Sequence, residues 1–287
     1  MTLRSSLFAL VGVVLLAAPA AASDRKAAAS PVPVVPTMSG GSERFAARCE
    51  VPGEMLRLGH RLPQVARRLA EGKQLTVVAM GASSTEGIGA SAQENAYPER
   101  LEAELYALFP GMQIAVHNRG IGGEDAGQML ARIERDVLRV EPDLLILQAG
   151  VNAAMKGWPL DMFVDDMLAI VDTAHRHGID VMLMGPQNAP RYVNAPLRRQ
   201  FADNMMMVSR IRDVPIFPRF RIMTHWMQSG AFRADEIVGP DGLHMTDASY
   251  YCVARLLARS IASALPEALA PSIAPSTYSQ IGTPTKR

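Results

Sequence analysis

Leu75-Thr76-Val77-Val78-Ala79-Met80-Gly81-Ala82-Ser83-Ser84-Thr85-Glu86-Gly87 joins two kinds of sequence. Its first half is a short, nearly continuous apolar run, the pattern of a strand buried on both faces. Its second half is small and polar. Gly81-x-Ser83 after such a run predicts a hydroxyl at the carboxyl edge of a sheet, where open α/β proteins bind ligands. Taken alone, the same residues also fit a turn whose serines cap the next helix.

Outward from this stretch, strands and helices alternate. The first strand is placed at 74–80. Further apolar runs predict strands at 112–117, 143–148, 179–184 and 214–217. Helical spacing predicts helices at 97–109, 124–140, 159–177, 196–211, 220–228 and 246–264. Upstream, 54–71 carries Leu58, Leu62, Val65, Ala66 and Leu69 at helical spacing, interrupted by Pro63, which can begin a second helix. Five apolar strands, each followed by a helix-length segment, argue a parallel sheet covered on both faces.

Composition narrows the function. The chain has 287 residues, 48% hydrophobic and 20% charged, with 17 methionines to fill irregular core or cleft space. A formal charge of +1 and the lack of a basic, aromatic-rich motif argue against nucleic acid as a partner. Residues 1–22 read as a secretory signal peptide: Arg4, an apolar stretch from Leu7 to Ala20, then Ala20-Ala21-Ala22 as a small-residue cleavage site. Residues 23–45 read as a Pro/Ala-rich linker, 46–265 as the folded domain and 266–287 as a disordered tail. The expected location is periplasmic or secreted, with no stable membrane insertion once the signal is removed. Such a compartment permits a disulfide between Cys49 and Cys252, the only cysteines.

Four stretches carry chemistry, each in a loop or just after a predicted strand. The first is Gly81–Gly87. The second, Asn118-Arg119-Gly120-Ile121-Gly122-Gly123-Glu124-Asp125, frees backbone N–H groups to face an anion or oxyanion. The third, Gly150-Val151-Asn152-Ala153, offers an amide donor at a strand end. The fourth, Asp241-Gly242-Leu243-His244, sets a carboxylate three residues from an imidazole that it can orient. Singly each has a structural explanation. Together they supply a nucleophile, a base, an orienting carboxylate and oxyanion donors.

These blocks, in this order over 74–264, resemble the SGNH hydrolases, the superfamily of the GDSL-type esterases and lipases, in an exported bacterial form. The resemblance implies a flavodoxin-like three-layer α/β/α sandwich with a five-stranded parallel sheet in the order 2-1-3-4-5. It implies Ser83 as nucleophile, His244 as base and Asp241 as its partner. The oxyanion hole it implies consists of the Ser83 N–H, the Gly123 N–H and the Asn152 amide. Ala82 and Ala153 stand where the family pattern has aspartates. No α/β-hydrolase elbow is present, because Thr85 occupies its second glycine position.

The expected activity is cleavage of carboxylic esters, with acetyl or short acyl groups on cell-envelope glycans or lipids as substrates. It needs no cofactor, and no side-chain cluster has metal-ligand spacing. Trp158 and Met245 are candidate substrate-binding residues. The alternatives are acyl or acetyl transfer to a polysaccharide, and a non-catalytic carbohydrate-binding envelope protein. Oligomeric state is not legible in the chain.

Overall fold

The computed structural model describes residues 45–271. The expected signal peptide, most of the linker and residues 272–287 of the C-terminal tail lie outside the described residues; the start of the expected tail instead holds a 3₁₀ turn at Glu267–Leu269. Five strands, β1 (Leu75–Gly81), β2 (Ile114–Gly120), β3 (Leu144–Gln148), β4 (Asp180–Met184) and β5 (Ile216–Phe217), form one parallel sheet in the order β2-β1-β3-β4-β5. The helices in chain order are α1 (Pro63–Ala70), α2 (Ser83–Glu86), α3 (Tyr97–Leu108), α4 (Ala126–Ala131), α5 (Ile133–Asp136), α6 (Val151–Lys156), α7 (Leu160–Arg176), α8 (Pro190–Val193), α9 (Arg198–Arg212), α10 (Arg219–Gln228), α11 (Ala234–Ile237) and α12 (Asp247–Ser263).

Strand alternation sorts the core into two layers. Leu75, Val77, Ala79, Leu144, Ile146, Met182, Met184 and Phe217 join one cluster with α3, α10 and α12. Val78, Met80, Leu145, Leu147, Val181 and Leu183 join the other with α4, α6, α7 and α9. Both faces are thus covered, which is why the strands read as continuous apolar runs. Each fully buried large aliphatic side chain contributes about 1.5–3 kcal/mol by area.

Three expectations are corrected. The helix expected at 54–71 is only α1. The preceding segment is irregular: Gly59 turns it at φ +69°, and Pro63 starts the helix in its first turn. The helix expected at 124–140 breaks into α4, α5 and a 3₁₀ turn at Leu138–Val140. The break falls at Arg132, whose backbone leaves the helical region (φ −111°, ψ 8°) as its guanidinium turns inward to the strand ends. Asp125 caps α4, accepting the Gln128 N–H. Finally, β5 is two residues long, because Val214 folds back to donate its N–H to Ser209 O.

Two devices tie the periphery to this frame. At the amino edge of the sheet, Asp180 accepts the Gln64 and Val65 N–H groups at 2.8 and 3.1 Å, holding the start of α1. Arg68 of the same helix pairs with buried Asp143 at 2.5 Å. On the α10–α12 side, Cys49 and Cys252 form the expected disulfide across a sequence separation of 203. Cys49 O accepts the indole N–H of fully buried Trp226. Arg48 and Glu50 add ion pairs to Glu236 and Arg259.

Desolvation raises the Asp180 carboxyl to about 6, against the pull of its two backbone donors. A folded pKa above the unfolded value of about 4 means that stability is lost as pH rises from there through 6. Asp180→Asn keeps an acceptor and does not titrate. It should therefore gain about 1–3 kcal/mol over wild type near pH 7.5 and little or nothing near pH 4 in urea unfolding. A pH-independent difference would refute this. Replacing both Cys49 and Cys252 with Ala should cost about 2–5 kcal/mol on the same assay, since the bridge closes a very long loop.

Candidate active site

β1, β2 and β3 end level with one another: Gly81 pairs with Gly120 on one side and with Gln148 on the other. All four sequence blocks lie at or beyond this edge. Ser83 opens α2, immediately after β1. The helix lies this close because two strand ends are glycine. A Cβ on Gly81 would sit 2.1 Å from Thr85 Oγ1, and one on Gly120 would sit 2.0 Å from the Glu86 nitrogen. Of the adjacent serines, Ser84 is buried and Ser83 half-buried.

The loop before α12 brings the imidazole to Ser83. Asp241 Oδ1 accepts the N–H groups of Leu243 and His244, each at 3.0 Å. Asp241 Oδ2 meets His244 Nδ1, and His244 Nε2 lies 2.8 Å from Ser83 Oγ. Desolvation pushes the Asp241 carboxyl up, but the two backbone donors and the imidazole outweigh it and bring it to about 2. The carboxylate is therefore ionised at neutral pH and can only accept, which puts the ring proton on Nδ1 and leaves Nε2 free to accept from the serine hydroxyl. The loop is closed by Gly239 N–H to His244 O at 2.8 Å. It packs against Gly89 (φ +93°), where a Cβ would lie 2.9 Å from that of His244. Tyr250 donates to Ile88 O and pins that segment.

On the other side of Ser83 lies the Ile121–Glu124 turn. A Cβ on Gly122 would stand 3.8 Å from Ser83 Cβ and 2.8 Å from Glu86 Oε2. Gly123 adopts φ +80°, with open space around it. Asn152, on α6, donates to Glu124 O at 2.9 Å, and Lys156 on the same helix donates to Gly123 O at 3.1 Å. Ser83, Gly123, Asn152, Asp241 and His244 thus all sit on segments that gather at one sheet edge. Trp158 follows α6, 37% exposed, with the Lys156 ammonium 5.5 Å from its ring centroid. Met245 is a correction: its side chain is fully buried in the core and offers a ligand no surface.

Other residues near the site, Asn118 of the second block apart, were not singled out by sequence. Gln148 Oε1 accepts both the Ala82 N–H and the Thr85 hydroxyl at 3.2 Å, and Thr85 also meets Tyr97. Its signal was a lone polar residue ending an apolar strand. Asn118 accepts the Gly120 N–H and donates to Glu99. Arg132 donates to the carbonyls of Gly81 and Arg119 and pairs with Glu124 and Asp136. Buried Arg219 donates to Gly185 O and Gln187 Oε1, and Gln187 donates to Leu243 O. Among the described residues, no group of three or more His, Cys, Asp or Glu side chains could hold a metal ion. No helix among them is long and apolar enough to cross a membrane.

The comparisons with known proteins agree with this fold. An arylesterase of Vibrio mimicus is 24% identical over 166 residues, spanning 58% of this chain and 78% of the relative. The fold is shared with a two-domain esterase (CEX) active on acetylated mannans, at a TM-score of 0.61 and 24% identity over 75% of this chain. This chain spans 55% of that two-domain protein. It is shared also with the lipase/acylhydrolase from Enterococcus faecalis, at a TM-score of 0.57 and 22% identity over 65% of this chain and 95% of that one. The non-GDSL lipase-like family matches residues 48–267, most of the chain and all four blocks, so the protein belongs to that family of SGNH-related carboxylic ester hydrolases.

Proposed function

We propose that the protein is a serine esterase that works through an acyl-enzyme, with Ser83 as nucleophile. The observation that carries this reading is the continuous relay from Asp241 through His244 to Ser83, with 2.8 Å between His244 Nε2 and Ser83 Oγ. Ser83 Oγ attacks the ester carbonyl as His244 Nε2 takes its proton. Asp241 holds the tautomer and stabilises the imidazolium. The Ser83 N–H, the Gly123 N–H and the second Nδ2 hydrogen of Asn152 receive the oxyanion. Each such donor is typically worth about 2.7–4 kcal/mol in the transition state. The imidazolium then protonates the leaving alkoxide, and water, activated by the same imidazole, releases the acid.

Acetyl or short acyl esters on cell-envelope glycans or lipids are the substrates we favour. The two-domain relative acts on acetylated mannans. The apolar side chains Ile88, Ile121 and Trp158, each at least 37% exposed, lie beside three of the four blocks and could receive an apolar acyl or aryl group. Action in the periplasm or outside the cell suits the disulfide and the apolar N-terminal sequence.

Ser83→Ala should abolish hydrolysis of p-nitrophenyl acetate and labelling by a fluorophosphonate while the protein stays folded. Retained turnover, with Ser84→Ala inactive instead, would overturn the assignment. The aim of Ser83 rests on Gln148, so Gln148→Leu should lower kcat by roughly 10- to 100-fold, the usual effect of a small misplacement of reacting groups. A steady-state comparison showing unchanged kcat would refute that role.

A further inference from the structure

We propose that Gln187, held by the buried guanidinium of Arg219, is a positioning residue for the Asp241–His244 pair, acting through the peptide that joins Leu243 to His244; this rests on the roles of Ser83, Asp241 and His244 proposed above. That peptide is held at both ends. Its N–H, on His244, donates to Asp241 Oδ1 at 3.0 Å. Its carbonyl, on Leu243, accepts from Gln187 Nε2 at 3.3 Å. A trans peptide is planar, so its C=O and N–H point in opposite directions and turn together. A rotation that took the N–H away from Asp241 would also take the carbonyl away from Gln187. The N–H is one of two backbone donors on Asp241 Oδ1, while Oδ2 of the same carboxylate meets the imidazole. Gln187 thus acts on the far end of the peptide that steadies the carboxylate. The segment after β4 grips the loop a second time, where Arg191 N–H donates to Gly242 O at 2.9 Å.

An amide suits position 187 where a carboxylate would not. Gln187 is 2% exposed and Arg219 fully buried. Arg219 donates from Nε to Gly185 O and from Nη2 to Gln187 Oε1, both at 2.9 Å. Burial lowers the guanidinium to about 10, which leaves it charged at neutral pH; the charges acting back on it are the phenols of Tyr97, Tyr250 and Tyr192. A carboxylate is the ordinary partner of a buried cation. A carboxylate only accepts, however, and would repel Leu243 O, whereas an amide accepts at one end and donates at the other. The guanidinium, which only donates, also decides which way the amide is turned: Oε1 towards Arg219, Nε2 towards Leu243 O. Arg219 keeps Gln187 a donor to the loop.

The test is Gln187→Glu, which keeps the shape and suits Arg219 but, once ionised, cannot donate to Leu243 O. With p-nitrophenyl acetate it should lose about 10- to 100-fold in kcat with KM within about twofold, while urea unfolding shows the domain still folded. If Gln187 served only as a partner for buried Arg219, the same variant would keep its kcat. Hydrogen exchange at the His244 backbone amide gives a readout independent of turnover. It should speed up by at least about tenfold in Gln187→Glu while the amides of β3 keep their rates. The double variant Gln187→Met/Arg219→Met removes cation and amide together; it should show the same kcat loss, and it carries the test if Gln187→Glu does not fold. An unchanged kcat in a folded variant, or a loss confined to KM, would overturn the proposal. So would unchanged exchange at His244, even if the esterase reading stands. If the wild type neither turns over nor reacts at Ser83, the esterase reading fails by itself, and the exchange rate alone decides the contact: faster exchange keeps it and unchanged exchange overturns it.

Discussion

The register that ends β1, β2 and β3 at one level is the constraint on which the rest of the molecule depends. Gly81 faces Gly120 and Gln148 across the sheet, so the chain segments leaving those strands start side by side. A slip of one residue would exchange the two core faces. It would also move Gln148 away from the Ala82 N–H. The apolar alternation that sorts Val77 from Val78 and Ile146 from Leu147 into separate layers therefore also aims the serine.

Around that edge, support comes from polar side chains that bind backbone groups, Gln148 and Arg132 buried and Asp241 exposed. Gln148 holds the Ser83 turn, Arg132 holds two strand-end carbonyls, and Asp241 accepts two N–H groups as well as the imidazole. A buried polar side chain that lost such partners would carry a cost of about 1–3 kcal/mol, which makes the Gln148 and Arg132 arrangements self-enforcing. Position 82, where the GDSL pattern has an aspartate, is a buried alanine whose N–H is bound by Gln148 of the neighbouring strand.

The fold was legible because a sheet buried on both faces writes itself as short apolar runs, and Leu144–Leu147 could hardly be read otherwise. The candidates Ser83, Asp241 and His244 stood out only jointly, through four blocks in order that resemble the SGNH pattern; a serine after a strand or a carboxylate three residues from an imidazole would each, alone, also fit a structural role. Gln148 and Arg132 were not legible, since their contacts exist only where segments far apart in the chain meet. The long helix expected at 124–140 failed for the same reason. Its periodicity was sound, but Arg132 is drawn to carbonyls of β1 and β2 that no local pattern reveals. Met245 misled in the opposite direction: it adjoins His244 in sequence, yet its side chain points into the core.

The bridge between Cys49 and Cys252 has a consequence for the order in which the protein is made. A chain emerges amino end first, and its domains fold largely as they appear. Cys49 therefore waits unpaired until α12 is available, by which time every strand has been synthesised. The cross-link therefore cannot form before every strand of the sheet is present, and it then ties the amino-terminal segment to the helix that completes the core. Until then the thiol of Cys49 is a hazard, open to pairing with another molecule. A protein built this way cannot gain that part of its stability until its last helix has been made.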